Sequence, residues 1–392
     1  MTADFFPPQQ QPLLIRLVQS ISFWLIPQLY RFRVSMSDDD VARLRALDNA
    51  RLVYLCNHPT LEDGVAMFGL SARVGHLFHY IVARESFKGL TGKFIQAIGC
   101  YSIRRGMGDR ASIAETLKLL KVPRSRLVIF PEGGCSYQND VVQPFRSGAI
   151  QMPLQVMAQL AKQDGPLPDL YIVPVSLKYR YTRPMGQAIE QTLAGLEQAL
   201  GISTPTAERY ERLIAIATQV LHRLESEYRL EPPTDLDLNH RIRRLKTHVI
   251  DQCEQTLGLT SPEQMPLRER VYKIQALLDA GDVTVKDGPA LYWTTVRLLN
   301  FDAIYDGYVA ERPTPERFLD TLMRLEREVY QIEHIQPKAD RRAYLTVGNP
   351  INVKDYLSDF RRDKVGTVER LTTELHTEVQ VNLDRLASEG ID

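Results

Sequence analysis

The stretch Asn57-His58-Pro59-Thr60-Leu61-Glu62-Asp63 carries an imidazole and a carboxylate five positions apart. Such a pair can move protons. A carboxylate bound to one imidazole nitrogen fixes the tautomer and stabilises the charged ring, which leaves the other nitrogen to accept a proton. The two groups meet only if the backbone turns between them. The apolar run Arg51-Leu-Val-Tyr-Leu-Cys56 reads as a strand ending at Asn57, and Pro59 favours the first turn of a helix. His58 then stands at a strand-to-helix corner, with Asp63 one helical turn further on. A buried loop histidine and a helix-capping aspartate produce the same spacing, so the pair alone does not define a site.

Three more stretches follow in a recurring order: Gly99-Cys-Tyr-Ser-Ile-Arg-Arg105, Phe130-Pro-Glu-Gly-Gly-Cys-Ser136 and Ile172-Val-Pro-Val-Ser-Leu-Lys178. Together with the His58 stretch they resemble the glycerolipid acyltransferase family, whose best-known members acylate 1-acylglycerol-3-phosphate. The resemblance covers residues 51 to about 180 and resumes at 343 to 390. It implies that His58 is a general base taking the proton from an acceptor hydroxyl as that hydroxyl attacks a thioester, that Asp63 orients the imidazole, and that no acyl-enzyme is needed. It also implies that Arg105 lies near the acceptor phosphate and that Glu132 binds a glycerol hydroxyl or positions a basic side chain. Pro174 matches the final motif, which shapes the acyl side; an edge-strand proline is the ordinary alternative. The backbone amides of Gly133 and Gly134 are candidate oxyanion donors, since glycine lets the backbone approach a ligand closely.

Departures from the family pattern matter as much. Arg104 stands where members commonly carry Asp, and adjacent strand residues point to opposite faces, so one of Arg104 and Arg105 faces the site. Arg84 stands where a basic residue is common and is a further phosphate candidate. Where many members have Thr-Arg-Ser after Glu-Gly, this chain has Gly134-Cys135-Ser136, so a second phosphate-binding arginine is missing. Either Arg104, Arg84 or Arg146 replaces it, or the acceptor is not a simple phosphomonoester. Surface ion pairs account equally for these arginines, and a structural strand-end carboxylate accounts for Glu132. Cys135 is a tempting nucleophile, but no histidine adjoins it in sequence and the His58–Asp63 pair already accounts for catalysis.

The 392 residues, 44% hydrophobic and 24% charged, suit a folded chain with a sizeable core. Lys plus Arg equals Asp plus Glu at 48 each, so no global charge points to nucleic acid. A local basic excess lies between Arg84 and Arg126, where ten basic residues face three acidic ones; it is either a solvated helix face or a surface for phosphate or anionic lipid. Four cysteines, at 56, 100, 135 and 253, have neither disulfide-framework nor zinc-module spacing, so no metal site is expected and a reducing cytosol fits. A metal-dependent hydrolase built on His58, Asp63, His76 and His79 is a competing class, but its ligands lack a recognisable spacing.

No secretory signal is visible, since the first twelve residues hold Asp4, three prolines and three glutamines. Residues 13–33 are the most membrane-like stretch, interrupted by Arg16, Gln19 and Pro27, too soon for the roughly 20 apolar residues of a spanning helix. Their aromatics at 23, 24, 30 and 32 and arginines at 16, 31 and 33 suit a helix lying in a membrane interface, and a core helix shares the stripe.

From 51 to 180, strands at 51–56, 78–83, 100–103, 126–131 and 170–177 alternate with helices near 62–73, 87–98, 109–121 and 147–163. The alternation predicts an α/β fold with a mixed, partly parallel sheet flanked by helices. Ligands in such sheets sit beyond the carboxyl ends of strands, where His58, Arg105 and Glu132 all fall. The stripe Phe87, Leu90, Phe94, Ile95 and Ile98 either walls an acyl channel or packs in the core.

Residues 186–337 show helical patterns at 206–229, 239–257, 267–280, 289–305 and 315–334, punctuated by prolines including Pro232-Pro233, with scattered histidines at 222, 240, 248 and 334. A strand returns at 342–353, followed by a helix at 364–388. The expected organisation is an N-terminal interface helix (1–36), a catalytic domain (37–184), an all-helical insertion (185–337) and a closing segment (338–392). The expected activity is transfer of a fatty acyl group from acyl-carrier protein or coenzyme A, as co-substrate, to a lysophospholipid hydroxyl, with 1-acylglycerol-3-phosphate the leading acceptor. No other cofactor is expected. The expected partners are a membrane lipid surface, the lysophospholipid and the thioester carrier, at the cytoplasmic face of a membrane as a peripheral or monotopic protein. Another lysolipid acceptor, or a catalytically idle lipid-binding scaffold, is the alternative.

Overall fold

The computed structural model describes residues 5–203, 208–231, 236–262, 264–280, 287–302, 304–333 and 335–388. His334 and the Pro232-Pro233 break lie outside them. The chain divides into two compact units, one of Met1–Arg104, Asp109–Arg180 and Asp340–Asp392, the other of Arg105–Gly108 and Tyr181–Ala339.

The first unit begins with α1 (Pro12–Tyr30), β1 (Phe32–Ser35), α2 (Asp38–Ala46), β2 (Arg51–Cys56), α3 (Asp63–Val74) and β3 (His79–Ala83). It continues with α4 (Gly89–Ala97), β4 (Cys100–Ile103), α5 (Arg110–Lys121), β5 (Arg126–Ile129), α6 (Gly148–Leu160) and β6 (Leu170–Tyr181). The second unit is helical among its described residues: α7 (Gly186–Leu200), α8 (Arg209–Glu227), α9 (Leu238–Thr256), α10 (Leu267–Ala280), α11 (Gly288–Asp302), α12 (Tyr308–Glu311) and α13 (Pro315–Tyr330). The chain then returns to the first unit with β7 (Arg341–Val347), β8 (Ile351–Asn352), α14 (Leu357–Arg362) and α15 (Lys364–Ser388).

The sheet runs β1-β7-β6-β2-β5-β3-β4, with β8 paired antiparallel to β6. The pairs β1/β7, β2/β5, β2/β6, β3/β4 and β3/β5 are parallel. This is the mixed, partly parallel α/β sheet that the alternation predicts. A central parallel strand is covered on both faces and reads as an unbroken apolar run, and all six residues of β2 are buried. Strand alternation then sorts its side chains. Leu52, Tyr54 and Cys56 join Val173, Val175 and Leu177 of β6 in a core closed by α1, α2 and α3, whereas Val53 and Leu55 join Leu170 and Ile172 in a second core closed by α5, α6, α14 and α15. The unit is therefore a three-layer sandwich.

Several elements depart from the sequence expectation. The first helix stops at Tyr30 because Arg31 is left-handed (φ 56°), and Phe32 turns into the core as the start of β1. Pro174 lies in β6 between β7 and β2, so the edge-strand explanation fails; its carbonyl accepts from Gly348 N at 2.9 Å. Gly348-Asn349-Pro350 breaks the expected long strand into β7 and β8. β6 continues to Tyr181, past the expected end at 177. α7, not anticipated, buries Ile189, Leu193, Leu196 and Leu200 on one helical stripe.

The stripe after β3 divides. Phe87 is buried and stacks on Phe6 at 5.2 Å, Ile95 and Ile98 pack on the core, and Leu90 and Phe94 are exposed. The basic excess between 84 and 126 does not form one face either. Arg126 is buried at the amino end of β5, donating to the carbonyls of Ala50 (2.5 Å) and Asp48 (2.7 Å), and Lys118 pairs with Glu115.

At the carboxyl end of β2 the buried Asn57 side chain extends the ladder: its amide nitrogen donates to Leu177 O at 2.9 Å and its oxygen accepts from Leu177 N at 2.7 Å. Asn57→Ala leaves both backbone groups without that partner, and unsatisfied buried polar groups cost about 1–3 kcal/mol each. The expected outcome is a loss of about 2–4 kcal/mol in urea-induced unfolding; an unchanged midpoint contradicts this role.

Candidate active site

Because β2 and β5 are parallel neighbours, with Leu55 opposite Ile129, the turns after them leave the sheet side by side. Both backbone groups of His58 are held by the turn after β5. Glu132 Oε1 accepts from His58 N at 2.7 Å, and Ser136 N donates to His58 O at 2.7 Å. Phe130 stacks on the imidazole with ring centroids 4.3 Å apart. The ring position is thus set by the neighbouring strand as well as by its own.

Asp63, the first residue of α3, is fully buried and bends back to the ring: Oδ2 lies 2.7 Å from His58 Nδ1. Oδ2 also accepts from Thr60 N at 2.9 Å, and Oδ1 accepts from Thr60 Oγ1 at 2.7 Å and from Tyr179 OH at 2.9 Å. Tyr179 comes from β6. It packs edge-on against Phe32 at 5.4 Å, and the Arg341 guanidinium lies 4.6 Å from its ring centroid. Asn139 clamps the same residue, its side chain bonding both Tyr179 N (2.7 Å) and O (2.6 Å).

With Nδ1 engaged by Asp63, the Cys135 Sγ lies close to both ring nitrogens, 3.4 Å from Nε2 and 3.8 Å from Nδ1. Burial disfavours the charged imidazole, but Cys135 and the Asp63 carboxylate outweigh it and lift the His58 pKa well above its ordinary value. An imidazole with a fixed tautomer and a buried anion behind it is equipped for proton transfer.

Glu132 is buried, and its two oxygens accept backbone N–H bonds from His58 and Gln143 (3.3 Å), so its carboxylate anchors the His58 turn. Gly133 is left-handed (φ +75°), and a Cβ there would run into the Arg146 guanidinium; Arg146 is thus laid against the turn that carries Cys135. The Gly133 amide donates to Phe130 O at 3.1 Å.

Arg84 and Arg104 follow β3 and β4 on the same sheet edge, two and three strand spacings from β2, or roughly 10 and 15 Å at about 4.8 Å per strand. Arg104 is turned toward Asp109, with its backbone N at 2.8 Å from Oδ2 and its Nε at 3.9 Å. Arg105 belongs to the helical unit, where its guanidinium lies 4.3 Å above the Tyr272 ring. His76 and His79 sit at the amino end of β3, the opposite edge. His76 bonds Asp48 at 2.7 Å and His79 contacts Gly99 O at 3.2 Å, so neither joins His58 as a ligand set.

Sequence reasoning missed Tyr179 and Cys135 as neighbours of the pair. Tyr179 sits two residues past the expected end of its strand. Cys135 meets His58 through strand pairing, which adjacency in sequence cannot reveal.

A parallel sheet with an oriented histidine at its carboxyl edge defines the chain as an α/β protein equipped for proton transfer at that edge. Residues 34–178, nearly the whole first unit up to β6, match the family model described as Acyltransferase. The match is to the glycerolipid acyltransferase family and supports a general acyltransferase activity for this domain. No curated protein matches it.

The sign of the His58 shift gives a pH test. A raised folded value means that the bonded imidazolium stabilises the fold fully below the ordinary pKa of about 6.5, and that this contribution fades as pH rises through the folded value. An NMR titration is expected to place His58 above 6.5 in the wild type. In Asp63→Asn, where burial persists without the anion, the value falls; an unmoved titration contradicts the coupling.

Proposed function

We propose that the chain transfers a fatty acyl group from a coenzyme A or acyl-carrier-protein thioester to the free hydroxyl of a lysophospholipid, with 1-acylglycerol-3-phosphate the leading acceptor and phosphatidic acid the product. The observation that carries this reading is the His58–Asp63 contact of 2.7 Å, closed behind by a buried, fully bonded carboxylate. His58 takes the proton of the acceptor hydroxyl as the oxygen attacks the acyl carbonyl, and Asp63 stabilises the imidazolium so formed. Positioned proton transfer of this kind contributes roughly 10²–10⁴ in rate.

Arg146 is the best-placed replacement for the arginine that the third motif lacks. Its guanidinium lies against Gly133, one turn from His58, and suits bidentate phosphate contact. Arg84 and Arg104 stand further along the same edge, within reach of a more distant part of an acceptor headgroup. Cys135 in the motif position favours a second acceptor reading, a lysolipid whose headgroup is not a phosphomonoester.

Membrane association fits both the family and α1, which is long and apolar enough to cross a membrane by length and composition. Its docking favours the interface. Gln19 donates to Ser71 Oγ (3.0 Å) and His76 O (2.7 Å), and Arg16 donates to Gly75 O (2.8 Å), so one face is committed to the end of α3. The outer face shows Leu13, Leu17, Phe23, Trp24 and Leu29, with Leu13 88% exposed, which is the stripe of a helix lying at a lipid surface.

Acyl transfer from labelled acyl-carrier protein or acyl-coenzyme A to a panel of lysolipids tests the reaction. His58→Ala is expected to lower kcat/KM roughly 10²–10⁴-fold. Transfer to other lysolipids alone moves the acceptor and keeps the mechanism. Transfer to none leaves a lipid-binding scaffold, and a rate indifferent to His58 refutes the general base. For the membrane reading, the double substitution Phe23→Glu and Trp24→Glu is expected to cut sedimentation with phosphatidylglycerol vesicles at least about tenfold, since each loses most of about 1.5–3 kcal/mol of apolar burial; equal sedimentation refutes it.

A further inference from the structure

The cage around Asp63 holds a cation with no direct part in proton transfer. Arg341 opens β7, where the chain returns from the helical unit, and its side chain is 8% exposed. Its backbone N donates to Arg31 O at 2.8 Å. Its Nε and one terminal nitrogen are enclosed and have no hydrogen-bond acceptor among the described residues. The guanidinium meets the Tyr179 ring, with the centroid at 4.6 Å, and Glu62 Oε2 at 3.8 Å. No substrate reaches nitrogens enclosed in this way, so Arg341 acts through the groups packed on it. Tyr179 and Arg341 both fall outside residues 34–178, the part that matches the family model.

We propose that Tyr179, with Arg341 on its ring, is a positioning pair that restrains the basicity of His58, so that enough of the imidazole stays neutral to take the acceptor's proton. The inference rests on the reading of His58 as general base and concerns the pH range in which that base works.

The sign follows from how the carboxylate is shared. An imidazolium is stabilised by the negative charge that Asp63 presents at Oδ2. Oδ1 accepts from Thr60 Oγ1 and from Tyr179 OH, and each donor there draws charge away from the oxygen that faces the ring. Burial and the Asp63 anion push the Tyr179 hydroxyl well above its ordinary value, so it remains a protonated donor. The positive charge of Arg341 acts against that rise, which makes the O–H a stronger donor to Asp63. Arg341 also places a second positive charge near the ring, and a like charge disfavours the imidazolium.

The remaining groups around the histidine do different work. Asp63 and Cys135 raise its proton affinity against burial. Glu132 is bonded to the backbone of His58 and Gln143, Arg146 lies against Gly133, and Glu62 faces Arg341. The Cys56 thiol at the end of β2 is pushed up by burial and stays neutral. Among the described residues, Tyr179 is the side chain that bonds Asp63 from another strand, and Asn139 and Phe32 hold it in place.

The test is an NMR titration of His58 in the purified full chain, its signal assigned from His58→Ala, with pH profiles of kcat/KM for lysolipid acylation run in parallel. Tyr179→Phe keeps the ring and loses the O–H. Arg341→Met keeps the stem and loses the charge, and Arg341→Lys keeps the charge. The His58 titration is expected to move up by at least about 0.5 unit in Tyr179→Phe and Arg341→Met, and to stay within about 0.2 unit of the wild type in Arg341→Lys. The acidic limb of kcat/KM moves with it, so the loss is about threefold or more on that limb and shrinks as pH rises; a merely structural defect lowers the rate at every pH. An unmoved titration in Tyr179→Phe, or an Arg341→Lys variant that shifts as far as Arg341→Met, overturns the inference. Titrations that move as expected in a chain that acylates no lysolipid support the pair and defeat the lysolipid reading. Transfer that needs His58, alongside unmoved titrations, defeats the pair alone.

Discussion

A carboxylate with no exposure to water has to be met by donors, because burying an unpaired charge costs several kcal/mol. Asp63 is in that position, and its partners are drawn from three places. His58 and Thr60 come from the turn between β2 and α3, and Tyr179 comes from β6. Satisfying one anion therefore ties the end of a central strand, the start of a helix and the next strand together. The tie spreads outward, since Tyr179 is packed by Phe32 of β1 and Arg341 of β7. Strands that lie far apart in sequence become the walls of one carboxylate's cage. The price is a helix whose first residue cannot act as a solvent-facing cap.

The strand order explains why chemistry gathers where it does. β2 leaves for β3 through α3, the chain passes through β4, and it returns to place β5 between β3 and β2. The motif after β5 then meets the motif after β2, although they are 74 residues apart at the Glu132–His58 bond. Arg84 and Arg104 follow the outer strands of the same half. The sequence motifs thus map onto positions along one edge, with proton transfer beside β2 and basic side chains spread toward β4. Arg146, which follows β5, lies against the Gly133 turn.

The elements were readable from sequence where local patterning decides them. The all-apolar β2, the stripe of α3 and the return of a strand near 342 were each set by residues within a few positions. The His58–Asp63 contact was readable for the same reason, because one turn of backbone brings the two together. What stayed hidden was decided across the sheet. Glu132 read as a carboxylate for a glycerol hydroxyl or a basic side chain, with a structural strand-end role as the alternative, and strand pairing is what brings its oxygens to the backbone of His58 and Gln143. Pro174 read as the motif that shapes the acyl side, with an edge position as the ordinary alternative, and the sheet order places it in the interior, where the Gly348 amide reaches its carbonyl. β1 was hidden inside an apolar-aromatic stretch because the switch from helix to strand rests on one left-handed residue, Arg31.

A histidine with strongly raised proton affinity trades availability for strength. Each unit by which its pKa exceeds the ambient pH reduces the neutral fraction about tenfold, so a stronger base is a rarer one. Burial opposes the charged ring, and Cys135 and the carboxylate on Nδ1 overcome it. That carboxylate is also what stabilises the imidazolium once the ring has taken a proton. The cage around Asp63 therefore sets both the strength of the base and the pH range in which it is free to act.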